Sequence, residues 1–409
     1  MKKRSKHFVY LSCFLIICII VSGCGKKDKS EKKIIKAYVD VEDKYVSDII
    51  GTAIDEYKNE KKDVQIDVVG SVLESKVQQS IVKGDIDIIL SPRNTMLQLS
   101  EKGVLSDLDD FYKENIDERY YNIMGSYGLV GDKHYAIGLI PTSLNIFYNI
   151  SAITKIGLKS PNNVMDILPI LSKLKDLQIK IPVQINSGDN FQNTTASLVF
   201  SNTVNGNDLM KIYNKSKEDY KNVNVQYFFD ELNRIIKETK LSESNFEAAG
   251  DSTVTRINSG DTPLFISYSS NASKMDNSAV GMVQNYDINS KKGNMPIVVN
   301  CLIAKPVNTK NEDEVNNFMT FLFSDKFQEK LAKNGIITGN IKVNEKTLTN
   351  DIEKSIAKLI SESDANSMYF MEYFPEKFYA YIESAIKDIY SGKYTGKEWN
   401  NILESVYKS

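Results

Sequence analysis

Tryptophan, histidine and cysteine are nearly absent from this chain. Its 409 residues include one Trp, two His and four Cys. His7 lies in the N-terminal segment, which leaves His134 alone and excludes a His-based metal site or a Ser/His/Asp triad. Cys13 and Cys18 fall in the same segment and Cys24 at its end, so no disulfide framework can form. Cys301 sits in the apolar run 297–304; packing as a small hydrophobe is the plain reading, and a reactive thiol the alternative. No G-x-x-x-x-G-K-[ST] motif occurs, so the chain hydrolyses no nucleotide through a P-loop. Nor is there an excess of basic residues: the net charge is −2, and removing the first 23 residues, with four cations and no acid, makes it −6. That argues against nucleic acid as a partner. There is no repeat at a fixed period and no low-complexity tract beyond one short polar stretch. No metal and no cofactor are expected.

The N-terminus does carry a signal. Lys2, Lys3, Arg4 and Lys6 precede an apolar run over 8–22 that is too short for a confident membrane span. The run ends in Val21-Ser22-Gly23-Cys24, which resembles the bacterial lipobox, whose cysteine receives a diacylglycerol. An ordinary signal peptide or an uncleaved anchor is the alternative. Residues 1–23 therefore read as a lipoprotein signal peptide, and 24–33 as a lipidated Cys24 with a charged, solvated tether.

The remainder reads as α/β and is long enough for two cores. Strands at 34–39, 64–68 and 86–90 alternate with helices, the first carrying Val46, Ile49, Ile50, Ala53, Ile54 and Tyr57 at helical spacing. This predicts a doubly wound sheet, with ligand beyond the strand ends at 40–44, 70–71 and 91–94. A turn at Gly131 then leads through two short apolar runs, 135–140 and 144–148, broken by Pro141, which predicts a strand crossing between two lobes. A second α/β set follows. It has a helix over 161–177 interrupted at Pro169, strands at 181–185, 264–268 and 280–283, a second crossing at 285–295, and a strand at 297–304. The C-terminal extension is helical, its last helix opening on a Thr395/Glu398 capping box.

Several blocks in this order resemble the bacterial extracellular solute-binding proteins of ABC importers, in the maltodextrin and oligosaccharide branch. They include Asp85 to Leu90 followed by Gly103-Val104-Leu105 and Asp107-Leu108, Tyr135 to Pro141 with Phe147-Tyr148-Asn149, the stretch 161–186, Asn258 to Leu264, 318–339 and 391–409. The resemblance implies the periplasmic-binding-protein fold: two doubly wound lobes joined by a strand hinge, 34–141 plus 285–335 and 142–284 plus 336–409. It also implies a monomer on the extracytoplasmic face of the cell membrane. That monomer closes on a small solute and delivers it to permease subunits without being an enzyme.

Carried across residue by residue, the resemblance implies a ligand role for Asp43 and Lys44, which match the family's Asp-Lys pair after the first strand. Ser91 and Asn94-Thr95 stand where the family has an aromatic and an Asp-Arg pair, Thr142 near its crossover acid, Tyr268 near its G-x-W aromatic, and Tyr379 at its penultimate-helix aromatic. Arg93, Asn94, Asn190, Ser270 and Asn271 are polar groups at loops facing the expected cleft. Tyr268, Tyr369, Phe370, Tyr373, Phe374 and Tyr379 are candidate stacking platforms for a sugar, with core packing as the alternative. The missing Trp and the Ser91 and Asn94 replacements keep non-sugar solutes open: a polyamine, an amino-acid derivative, a phosphorylated compound or a peptide. Asp43 and Glu372 are the acids for a cationic one. A sensor for a membrane kinase and a lipid-anchored hydrolase are the remaining alternatives.

Overall fold

The computed structural model describes residues 32–70, 74–186, 189–288 and 292–408. The signal peptide, Cys24 and nearly all of the tether lie outside them, as does Ser71. The first sheet has the order β2 (Val64–Val69), β1 (Lys33–Val39), β3 (Ile88–Ser91), β13 (Leu302–Ala304), β6 (Ile137–Gly138). β1 pairs in parallel with β2 and β3, and β13 runs antiparallel to β3 and β6. The helix Lys44–Glu60 buries the six apolar residues that its spacing predicts. Asp87 is buried within this lobe, and accepts hydrogen bonds from Lys36 N (2.9 Å), Thr309 Oγ1 (3.0 Å) and Asn311 Nδ2 (3.2 Å). A carboxylate so supplied with donors can stay in the interior and tie the 309–311 loop to β1.

The second sheet is ordered β11 (Val280–Met282), β7 (Thr142–Asn149), β10 (Leu264–Tyr268), β8 (Ile181–Val183), β9 (Phe246–Ala248). β7 is buried along all eight residues and runs antiparallel to both β10 and β11. Helices Phe191–Phe200, Gln226–Thr239, Tyr379–Tyr390 and Glu398–Val406 pack together around an aromatic core, in which Phe200 stacks on Tyr373 and Phe378 on Trp399.

The chain changes sheets first between β6 and β7, over Leu139 to Pro141. Its return differs from expectation. β12 (Ile297–Val298) still pairs with β7, whereas β13 belongs to the first sheet, so the crossing falls at 299–301 rather than 285–295. Leu139 N donates to Cys301 O at 2.9 Å and binds the two crossing segments side by side. A third passage comes later than 336. Gly339 and Asn344 remain hydrogen-bonded to Tyr121 of the first lobe, and the Asn350 side chain donates to Met275 O of the second. Spacing cannot reveal such boundaries, because a strand reads alike in either sheet.

Two helix starts also differ. Pro169 is the third residue of the helix Ile167–Asp176, in the first turn, where its missing N–H costs nothing, so no interruption arises. The last helix begins at Glu398, whose carboxylate accepts from Thr395 N and Oγ1 while Lys397 holds the cap position.

Candidate functional site

A cavity of ≈ 310 Å³ opens between the lobes, at the carboxyl ends of β1, β3 and β10. From the first lobe it receives Asp40, Glu42 and Asp43 after β1, and Pro92 and Asn94 after β3. From the second come Asn186, Asp189, Asn193 and Tyr268, together with Tyr379 and Glu383 on one helix. Val298 reaches it from the end of β12, Asn300 from the second crossing, and Tyr369, Met371 and Glu372 from the segment before that helix.

Local chemistry fixes these groups. Asp43 caps the helix Lys44–Glu60, its Oδ1 accepting from Val46 N at 3.2 Å, while Oδ2 accepts from Asn300 Nδ2 at 2.6 Å. Asn190 caps the helix Phe191–Phe200 by accepting from Asn193 N at 2.9 Å, which sets Asn193 one turn in and facing the cavity. The Asn193 Nδ2 donates to Glu383 Oε1 at 3.0 Å. Tyr369 donates its hydroxyl to Asp189, and Asn94 donates its amide to the Tyr379 hydroxyl across the cleft. Burial pushes the Asp189 carboxyl above the usual range, with further repulsion from Glu383. Burial likewise pushes Glu372 up to about 7, opposed by Arg93 and reinforced by Asp189.

Asp43, Asn94, Tyr268 and Tyr379 thus reach the cavity, although Tyr268 is only 1 % exposed and offers little ring surface. Tyr369, expected as a stacking platform, and Glu372, expected as an acid for a cationic solute, also line it, whereas the other expected ligand residues stand elsewhere. Lys44 projects into solvent and pairs with Asp48 at 2.7 Å. Ser91 is buried at the end of β3, with its hydroxyl unpartnered among the described residues. Arg93 is buried behind the wall; its Nη1 donates to the Glu372 carbonyl at 2.8 Å and its guanidinium lies over Tyr213. Thr142 lies inside β7 opposite Val298, and Asn190 serves as a cap. Ser270 sits on the 3-10 turn Ser269–Lys274, away from the lining, and Asn271 donates to Gln184 Oε1 at 2.9 Å. Tyr373 is a core residue, its ring against Phe200 and its hydroxyl donating to Ala365 O. Phe370 and Phe374 pack in the same core.

Sequence reasoning missed Asp189 and Asn193, and also Asn300 and Glu383. Helical spacing held a clue to Glu383: it follows Tyr379 by four residues and shares its face. Asn300 had no signal, because the crossing that carries it was read as the interior of one strand.

Two mixed sheets joined by strands, with a polar cavity between them, define a two-lobed ligand-binding protein. The profile of the bacterial extracellular solute-binding protein family matches residues 52–358, and the chain belongs to that family. Its members bind solutes and are not enzymes. No curated protein sequence matches the chain. Solved structures of the same fold include a chitin oligosaccharide binding protein, 14% identical with a TM-score of 0.69 over 92% of this chain and 99% of that one. A probable secreted solute-binding lipoprotein from Streptomyces coelicolor is 13% identical, with a TM-score of 0.68 over 93% and 100%. The GacH receptor of Streptomyces glaucescens, solved unliganded and with acarbose, is 14% identical, with a TM-score of 0.64 over 92% and 98%. Among the described residues no helix is long and apolar enough to cross a membrane.

Proposed function

We propose that this protein is the solute-binding subunit of an ABC importer and captures a small sugar or oligosaccharide by closing its lobes. The observation that carries this reading is the cavity between the lobes, walled by acids, amides and tyrosines from both. Carboxylates and amides satisfy hydroxyls, and tyrosine rings cover apolar faces, which is how polar organic solutes are held. The named ligands of similar structures, chitin oligosaccharide, acarbose and maltotetraose, belong to that class. Closure would desolvate the solute and present the closed form to permease subunits, with ATP hydrolysed by a separate subunit. The lipobox-like Val21-Ser22-Gly23-Cys24 supports anchoring through a lipid on Cys24, at the extracytoplasmic face, by a monomer.

Thermal unfolding against a panel of mono- and oligosaccharides tests the solute reading. A solute at a hundredfold excess over its Kd stabilises the native state by about 2.7 kcal/mol, a clear rise in Tm. A flat response to every sugar and sugar derivative rejects it. The anchor is tested separately: mass spectrometry of the membrane-extracted protein is expected to find an N-terminal Cys24 carrying a diacylglycerol, and an unmodified Cys24 rejects lipidation.

A further inference from the structure

The hydrogen-bonding inventory of the cavity is lopsided. Six carboxylates line it (Asp40, Glu42, Asp43, Asp189, Glu372 and Glu383), and among the described residues no Lys, Arg or His does. Four donors in the wall are already engaged: Asn300 with Asp43, Tyr369 with Asp189, Asn94 with Tyr379, and Asn193 Nδ2 with Glu383. Acceptors are left over. Asn193 is 1 % exposed, lines the cavity, and its Oδ1 has no partner among the described residues. The buried Glu372 Oε2 has none either. Arg93 lies behind the wall with one guanidinium nitrogen on a backbone carbonyl and its face toward Tyr213. None of Asp40, Asp43, Asp189, Glu372 and Glu383 makes an ion pair among the described residues.

A neutral sugar brings hydroxyls that both donate and accept, and it neutralises nothing. A protonated amine brings only donors and a positive charge. It therefore complements both features of this wall, the idle acceptors and the uncompensated carboxylates. We propose that the solute held here bears protonated amino groups, as an amino sugar or a linear polyamine does. This rests on the reading of the cavity as the solute site and specifies its chemistry. Burial raises the affinity of Asp189 and Glu372 for protons, for Glu372 against the opposing charge of Arg93.

Calorimetric titration of the purified protein at pH 7 tests the proposal with four probes: the glucosamine dimer, its N-acetylated counterpart, spermidine and maltotriose. The amine probes are expected to bind, and more weakly at high salt. Of these two, the tighter binder tells an amino sugar from a linear polyamine. Glu372→Gln and Glu383→Gln are each expected to weaken amine binding on the order of tenfold. Their circular dichroism should match that of the parent, which separates a binding loss from a folding loss. Equal or tighter binding of the neutral probes overturns the proposal and leaves the sugar-importer reading standing. No binding to any probe or to the sugar panel overturns both. Unchanged amine affinity in both variants also overturns the proposal.

Discussion

Glu372 shows how one residue is set by surroundings that are distant in sequence. Three of its influences are burial, Arg93 at the start of a helix in the other lobe, and Asp189 at the mouth of a loop. Its carboxyl prefers the proton, with a folded value of about 7 against an ordinary 4.5. Protonation therefore favours the folded state. The contribution is complete below about pH 4.5 and is lost as pH rises through 7. Glu372→Gln, which mimics the protonated form, is expected to raise stability by about 3 kcal/mol at pH 8 and to leave it nearly unchanged at pH 4.5. Urea denaturation at the two pH values measures this, and equal effects at both would show that Glu372 is not buried as described. The residue illustrates how far the site was legible. Asp43, Asn94 and Tyr379 stand where strand ends and helix starts put them, so a reading of element termini could reach them. Arg93 and Tyr373 look equally available in the sequence, yet they turn inward, because each finds a backbone carbonyl and an aromatic face there.

At the scale of elements, the helix Phe191–Phe200 does most to shape the second lobe's wall. Its cap Asn190 satisfies an N–H of the first turn and so sets where Asn193 and Asp189 meet the cavity. Asn190→Ala is expected to cost about 1 kcal/mol of stability and to weaken solute binding as well, whereas Asn190→Ser restores both. Chemical denaturation with a binding titration checks the pair; a stability loss with unchanged affinity would confine Asn190 to a structural role. Strands and helices were readable because their apolar periods were clean, as in the six buried residues of the helix Lys44–Glu60. Where two short strands abut, as at 297–304, the apolar run is continuous and hides the change of sheet.

For the whole molecule, the bridges across the cleft matter most. Asn94 contacts both Tyr379 and Tyr213, and Asn214 donates to Glu101 at 3.2 Å. Such contacts favour a closed arrangement, and a bound solute adds to them. Small-angle X-ray scattering is expected to show a smaller radius of gyration with solute than without. Asn94→Ala should reduce affinity roughly fivefold, about 1 kcal/mol, by removing a cross-cleft bond. An identical scattering curve with and without saturating solute would reject closure.

The sequence by itself determined the class of fold and the family, because both depend on local periodicity and on the order of short blocks along the chain. It also excluded disulfide, His-metal and P-loop chemistry by composition alone. The tertiary structure decided where the chain passes between lobes, which polar side chains face the cavity and which are consumed as caps or core bonds. It also placed six carboxylates from four separated segments in one wall. Charge density at a site is a property of assembled space. Asp40 and Asp189 lie far along the chain from each other and from Glu372 and Glu383, and only folding brings their fields together.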